Sequence, residues 1–212
     1  MKNQSNSIRY QNQNSHTSGN NGGFVVTDIV KKPIIYIYPI EKMDVEVKLG
    51  NPQYLSCTYP KYKNGWSVTA DVDGTLVDKN TGKNLYALYW EGKEVPKNIN
   101  LKEGFCVKGK DTATFLEEKL SLLGLSDKEA EEFIIYWLPK MEENNYNYIR
   151  FETKEEQDKS MPLEITPKPD NLIRVMMDWK GLDEKIEVQE QNLETPIREG
   201  YTVVEWGGTE IK

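Results

Sequence analysis

The sequence predicts an α+β domain built mainly of antiparallel β-sheet, arranged as a sandwich or open barrel, with one inserted helical hairpin. Short apolar segments recur along most of the chain and are separated by turns rich in Gly, Pro, Asn and Asp. Residues 112–141 differ, because their apolar side chains recur at helical spacing. The length of 212 residues suits one medium-sized domain and a tail.

The first 23 residues consist almost entirely of Asn, Gln, Ser and Gly, with very few apolar side chains. Such a segment cannot bury enough apolar surface to offset the entropy of ordering it. We therefore predict a disordered tail over residues 1–23 and a single folded domain over residues 24–212. The leader lacks the apolar centre of a signal peptide, and the chain has no run of twenty apolar residues, so a soluble, cytoplasmic protein is expected.

The first half of the domain is predicted to contain strands, because its apolar segments alternate with polar residues or end at turn residues. The predicted strands are residues 25–30, 32–39, 44–49, 54–59, 66–72, 75–78 and 85–90. Pro33 and Pro39 bracket the second of these, which favours an edge position or a sharp entry into the sheet. Asp73-Gly74 predicts a type I′ turn that joins two strands into a hairpin.

The predicted helical hairpin spans residues 112–141. Its first helix ends at Gly124, and Ser126 with Glu129 forms a capping box at the start of the second. Pro139 stops or kinks that second helix. Two helices joined by so short a link must bury their apolar stripe against a sheet. Strands are predicted again at residues 146–151, 163–166, 172–179 and 201–206, and the charge-rich residues 152–159 between them are predicted to be a solvated loop.

Composition excludes several chemistries. The only histidine, His16, lies in the predicted tail, which excludes Ser-His-Asp and Cys-His catalysis and histidine-ligated zinc. Cys57 and Cys106 lie in apolar segments without metal-ligand spacing and are predicted to be buried, with a disulfide left open if the chain is exported. The net charge of −7 and the scarcity of arginine argue against a nucleic-acid partner. No metal site is predicted.

Residues 71–76 spell Asp-Val-Asp-Gly-Thr-Leu, which resembles the nucleophile motif of Mg²⁺-dependent phosphoryl-transfer enzymes of the haloacid-dehalogenase type. That resemblance implies that Asp71 attacks phosphorus and Asp73 transfers protons. The segment before Asp71 alternates, however, which is typical of a half-buried antiparallel strand. Thr166 and Asp178, which would complete the site, lie too close together for a parallel crossover. A hairpin turn is therefore the favoured interpretation.

Several segments together resemble an uncharacterised, largely microbial protein family. In chain order they are KPIIYIYP (32–39), TYP (58–60), GW (65–66), DGTL (73–76), YWEG (89–92), YWLP (136–139) and VVEWGGTE (203–210). The resemblance covers the chain from about residue 32 to its end. It implies no activity. In the family pattern the DGTL turn is kept without a required aspartate at the position of Asp71, so the resemblance removes the proposed nucleophile.

Two tryptophan–glutamate pairs, Trp90-Glu91 and Glu205-Trp206, lie where apolar strands end. Glutamates beside an apolar ring can serve as the acid and base of a glycosidase, and the rings can bind ligand. The favoured interpretation is that Trp90 and Trp206 are core residues and that the glutamates are solvated or salt-bridged. The many tyrosines open a further possibility, since three or more aromatic rings exposed on one face would indicate a glycan-binding or peptide-binding surface.

The leading hypothesis is a soluble, non-enzymatic binding or interaction module for a protein, peptide or glycan, with no cofactor and no nucleic-acid or membrane partner. The alternative is a carboxylate-based hydrolase. It would be a phosphatase at Asp71 and Asp73, for which Mg²⁺ would be the cofactor, or a glycosidase at Glu91 and Glu205.

Overall fold

A computed structural model of the chain describes residues 23–211, with only the backbone described at positions 23–30, 94 and 96–100. The predicted tail lies outside the described residues, except for Gly23. The strands are β1 (Gly23–Tyr38), β2 (Met43–Leu49), β3 (Leu55–Tyr59), β4 (Trp66–Ala70), β5 (Leu76–Asp78), β6 (Asn84–Leu85), β7 (Leu88–Asn100), β8 (Phe105–Lys108), β9 (Tyr146–Phe151), β10 (Leu163–Thr166), β11 (Asn171–Leu182) and β12 (Thr202–Glu210). The helices are α1 (Thr112–Leu122), α2 (Asp127–Trp137) and α3 (Lys154–Ser160). None of the described helices is both long and apolar enough to cross a membrane.

The strands form two sheets. The seven-stranded sheet has the order β3-β7-β1-β12-β11-β9-β8, and the five-stranded sheet has the order β10-β2-β4-β5-β6. Neighbouring strands in both sheets are antiparallel except β11 and β12, which run parallel. The predicted α+β class with mainly antiparallel sheet is confirmed.

Both faces of the seven-stranded sheet are buried. One face packs on the five-stranded sheet through a core that includes Ile35 and Val203 from one sheet and Val45 and Val68 from the other. The opposite face packs on the helices through a second core, whose members include Leu116, Phe133, Trp137, Val204 and Trp206. Neighbouring residues of a central strand such as β12 therefore face two different apolar cores.

The helical hairpin was predicted from periodicity and capping, and α1 and α2 confirm it. The Ser126 and Glu129 capping box forms at the start of α2 as expected. The prediction of a solvated loop over residues 152–159 was wrong, because α3 occupies it. Thr153 and Glu156 form a second capping box there, and Glu156 also receives two hydrogen bonds from Arg150 at 2.8 and 2.7 Å. Caps and tertiary ion pairs stabilise this polar helix where an apolar stripe is lacking.

Strand β1 also departs from expectation, because it lies between β7 and β12 rather than at an edge. The pairing of β1 with β12 shifts register between Lys31 and Ile34, and the pairing with β7 shifts between Val30 and Ile34. Pro33, which has no N–H to donate, lies inside this bulge. A Cβ on Gly207 of β12 would come within 3.0 Å of Pro33, so the glycine makes room for the bulge.

Tyr201 supplies a test of the sandwich core, since it is only 5% exposed and its hydroxyl has no hydrogen-bond partner among the described residues. Burial raises the pKa of Tyr201 to about 12. The unfolded chain loses this proton near pH 10, so the contribution to stability is complete below about pH 10 and is lost as the pH rises towards 12.

Tyr201→Phe is expected to leave the free energy of unfolding at pH 7 unchanged, or to raise it by up to about 2 kcal/mol, because an unpaired buried hydroxyl is removed. The variant should also lose less stability than wild type between pH 9 and pH 11, as measured by urea unfolding. Tyr62→Phe is the matched control, because the Tyr62 hydroxyl accepts a hydrogen bond from the Leu49 amide at 3.0 Å. Equal destabilisation by both substitutions would contradict the prediction.

Candidate functional site

A groove of about 530 Å³ lies between helix α2 and the outer end of the seven-stranded sheet. Tyrosines from three segments of the chain converge on it, together with one lysine and one glutamate. These residues are Tyr59, Tyr86, Tyr89, Tyr136, Lys32 and Glu91. We call this feature the tyrosine groove. Clefts of this size, lined by aromatic rings and a few polar groups, are the usual form of a ligand site.

Strand register explains how the sheet side of the groove is built. In the antiparallel pairing of β3 with β7, Tyr59 lies opposite Tyr89, and Cys57 lies opposite Glu91. Side chains of alternate residues share a face, so these four lie together on the face of the seven-stranded sheet that packs on the helices. Trp90, between Tyr89 and Glu91, points the other way into the sandwich core.

Helix α2 supplies the opposite wall. Its Phe133 and Trp137 are buried in the helical core, and Tyr136 beside them packs edge-on against Trp137 with 4.8 Å between ring centroids. The Lys140 ammonium lies 3.7 Å from the centroid of the Tyr136 ring, and the Lys32 ammonium lies 5.1 Å from it. Both distances are within the range of cation–π attraction.

Lys32 is the non-glycine residue of the described chain that has a positive φ, at 56°. A left-handed conformation costs an L-residue with a side chain about 1 kcal/mol or more, and such strain is concentrated at functional sites. The bulge in β1 imposes the strain on a residue that lines the groove. A second irregularity borders the groove in the pairing of β3 with β7, between Leu55 and Cys57.

Burial and nearby carboxylates raise the pKa of three tyrosines in the groove. Burial raises the pKa of Tyr89, and a hydrogen bond to Glu91 raises it further. Burial and then the charge of Glu91 raise the pKa of Tyr136, while burial and then the charge of Glu132 raise the pKa of Tyr86. The neighbouring carboxylates disfavour ionisation of these hydroxyls, and all three stay protonated at neutral pH.

Exposure separates the four tyrosines into two classes. Tyr59 and Tyr86 are 55% and 57% exposed, whereas Tyr89 and Tyr136 are half-buried. The side chain of Tyr59 has no ring, cation or hydrogen-bond partner among the described residues. An exposed ring at the mouth of a groove, backed by half-buried rings, provides apolar contact area to a ligand at low entropic cost.

Asp71 and Asp73 lie elsewhere, in the turn between β4 and β5. These strands pair antiparallel, with Ala70 opposite Leu76, so the favoured hairpin interpretation describes the fold correctly. Asp71 accepts a hydrogen bond from the Val72 amide and Asp73 accepts one from the Thr75 amide, each at 2.8 Å. Both carboxylates therefore hold the turn.

The predicted type I′ geometry of this turn was wrong. Of the pair Asp73-Gly74 only the glycine has a positive φ, at 84°, and its amide donates to the Asp71 carbonyl at 3.0 Å. These features describe a type I turn followed by a glycine bulge. The ring of Tyr38 lies 2.8 Å from the position of a Cβ on Gly74, which further restricts this position to glycine.

Glu205 is fully buried between the two sheets. One carboxylate oxygen accepts a hydrogen bond from the Trp90 indole at 2.8 Å, and the other accepts one from Arg174 Nε at 2.7 Å. Glu91 faces the tyrosine groove on the opposite side of the seven-stranded sheet. The structure thus does not bring the two glutamates together.

Trp90 and Trp206 are both buried, Trp90 in the sandwich core and Trp206 in the helical core. Neither ring is available at the surface. The two cysteines are free, with Cys57 exposed on edge strand β3 and Cys106 half-buried, so their predicted burial was wrong. Among residues 23–211 no group of three or more His, Cys, Asp or Glu side chains is placed to hold a metal ion.

Comparisons of the chain with models of protein families, with curated proteins and with solved structures find no match. The functional argument therefore rests on the tyrosine groove itself. Sequence reasoning missed this groove, although it noted the abundance of tyrosine. One signal for the groove was present in the sequence, because one predicted strand ends in Tyr59 and another contains Tyr89. The register that places these two residues opposite each other is a long-range contact, which no local pattern encodes.

Proposed function

We propose that this protein is a non-enzymatic binding module that holds a peptide, protein segment or glycan in the tyrosine groove. The observation that carries the proposal is the convergence of four tyrosines from three segments of the chain on one groove, with Tyr59 and Tyr86 left more than half exposed. Two apolar cores are available to bury large rings in this domain. Tyr89 and Tyr136 lie at the margin of the helical core, whereas Tyr59 and Tyr86 stay largely exposed beside them. Exposed rings that meet half-buried ones in one concave surface support a binding role.

The polar groups of the groove support binding rather than catalysis. Glu91 is the single carboxylate in its lining, and it lies two residues from Tyr89 on the same strand. General acid–base chemistry by carboxylates normally uses two groups with different proton affinities. Lys32 and Asn84 add hydrogen-bond donors that can orient a ligand.

A cytoplasmic location belongs to the same proposal. Both cysteines are free, and Cys57 is exposed at the edge of the sheet. An exposed free thiol suits a reducing compartment.

Binding to the groove can be tested with the full-length chain immobilised and exposed to a displayed library of random decapeptides and to a panel of oligosaccharides. We expect specific retention that falls about tenfold or more in Tyr59→Ala and in Tyr86→Ala, which corresponds to about 1.4 kcal/mol of binding free energy per ring. Both residues are exposed, so the unfolding temperature should change little.

Ile197→Ala is the matched control, because Ile197 is 69% exposed and does not line the groove. Its retention of ligands should equal that of wild type. Retention that survives both tyrosine substitutions would place binding outside the groove and overturn the proposal, as would the absence of any retained peptide or oligosaccharide.

A further inference from the structure

Strand β3 forms one edge of the seven-stranded sheet. It pairs with β7 on one side, with a register shift between Leu55 and Cys57. The Leu55 N–H donates to the Pro52 carbonyl at the start of the strand, and from Ser56 to Tyr59 no described backbone hydrogen bond joins β3 to an element other than β7. Ser56 and Cys57 in its middle are exposed. The outward backbone N–H and C=O groups of such a strand are a template on which a further extended chain can pair.

This free edge is continuous with the tyrosine groove. Tyr59 belongs to β3 itself and lies opposite Tyr89, and Cys57 lies opposite Glu91. A strand added beside β3 would place every second side chain on the face that carries these residues. One such side chain would therefore lie at the mouth of the groove.

The chain's own lysines show which chemistry the tyrosine rings accept. Lys32 and Lys140 lie over the ring of Tyr136, and the Lys128 ammonium lies 5.4 Å from the centroid of Tyr86. Tyr59 and Tyr89 have no cation over their rings among the described residues. Tyr59 is 55% exposed and Tyr89 is half-buried beside it, so an ammonium group from outside the chain can contact these rings as the lysines contact Tyr136 and Tyr86.

The charges of the groove and of the whole chain favour a cationic ligand. Glu91 makes no ion pair within the described part of the chain, although it lines the groove beside Tyr89. Lys32, the cation in the lining, is held over Tyr136 on the other wall. The net charge of the whole chain is −7, so a basic partner is attracted and an acidic one repelled at long range.

We propose that the occupant of this site is an extended basic peptide, which pairs with the free edge of β3 and places a lysine or arginine side chain between the Tyr59 and Tyr89 rings, beside Glu91. This proposal rests on the proposed function of the groove. The free edge favours a peptide over a glycan, because only a peptide backbone can continue the hydrogen-bond ladder of a sheet.

The test uses the peptides that the immobilised full-length chain retains from the random decapeptide library. Their sequences should be enriched in lysine and arginine. A synthetic copy of one such peptide should bind Glu91→Gln about tenfold more weakly than wild type, and should lose a similar factor when its lysine is replaced by norleucine. The norleucine peptide and Glu91→Gln together should weaken binding no more than either change alone, because both changes remove the same interaction between the lysine and Glu91. Methylation of the peptide backbone should weaken binding further.

Glu46→Gln is the matched control, because Glu46 is an exposed strand residue of the five-stranded sheet. Its affinity for the peptide should equal that of wild type. Two outcomes would overturn the basic-peptide proposal and leave the groove as a binding site, provided that Tyr59→Ala still reduces retention. In the first, the retained peptides are not enriched in lysine and arginine. In the second, the protein retains oligosaccharides and no peptide. Binding that is indifferent to Glu91→Gln has the same meaning. The absence of any groove-dependent ligand would overturn both proposals.

Discussion

Removal of residues 203–212 is expected to abolish the cooperative unfolding transition of the domain. Strand β12 pairs with β1 on one side and with β11 on the other, so it is interior to the seven-stranded sheet. All of its residues from Thr202 to Thr209 are buried. The truncated chain would lose contacts with both apolar cores and leave two strands with unpaired edges, a loss larger than the roughly 5–15 kcal/mol by which domains are stable.

Thermal unfolding followed by far-ultraviolet circular dichroism would measure this effect. Removal of residues 1–10 is the control, since it takes a segment of equal length from the predicted tail and should leave the transition unchanged. A chain that lacks residues 203–212 and still unfolds at the wild-type temperature would show that β12 is not integral to the fold.

Strands with one buried face were predictable because apolar and polar residues alternate within the strand itself. Strand β2 is an example, with Val45, Val47 and Leu49 buried and the intervening Glu46 and Lys48 exposed. Helix α2 was predictable for a similar reason, since its capping box and apolar stripe lie within a dozen residues. In both cases the decisive pattern is no longer than the element.

The order of the strands could not be predicted in the same way. Pairing of β1 with β12 brings Ile35 opposite Glu205, and no local pattern encodes a contact between segments so far apart. The central position of β1 follows from that pairing, and the bulge at Pro33 makes it possible. The tyrosine groove depends on two further long-range facts, which are the register of β3 on β7 and the packing of α2 against the sheet.

Glu205 illustrates how burial changes the interpretation of a motif. In the sequence, Glu205-Trp206 suggests either a reactive carboxylate beside a ring or a salt-bridged strand end. In the structure Trp206 faces the helical core, and Glu205 faces the sandwich core, where it pairs with Arg174. Arg150 and Arg198 are likewise paired with carboxylates, Arg150 with Asp178 and Glu156 and Arg198 with Glu129. The arginines of the described chain are thus paired with carboxylates of the fold, and none of them lines the tyrosine groove.

Glu205→Leu is expected to lower the free energy of unfolding by about 3–5 kcal/mol, because it removes the fully buried partner of a buried cation. Arg174 then keeps one described carboxylate partner, Asp158, whose side chain is half exposed. The Glu205 side chain is 0% exposed and that of Arg174 is 4% exposed, so solvent cannot replace the lost contact. The Trp90 indole also loses its acceptor. Urea unfolding at pH 7 measures the change, and Glu46→Leu, at an exposed position of β2, should change it by less than about 1 kcal/mol.

The double variant Arg174→Met, Glu205→Leu separates the cost of an unpaired charge from the worth of the pair. Two charges removed together leave apolar groups of similar volume between the sheets, and such replacements are often neutral or stabilising. We expect the double variant to recover at least half of the stability that Glu205→Leu loses, although the unpaired Trp90 indole and the contacts of Arg174 with Asp158 and the Met161 carbonyl are not restored. A double variant less stable than Glu205→Leu would show instead that the ion pair itself is a net source of stability, and that the sandwich core requires the charges it contains.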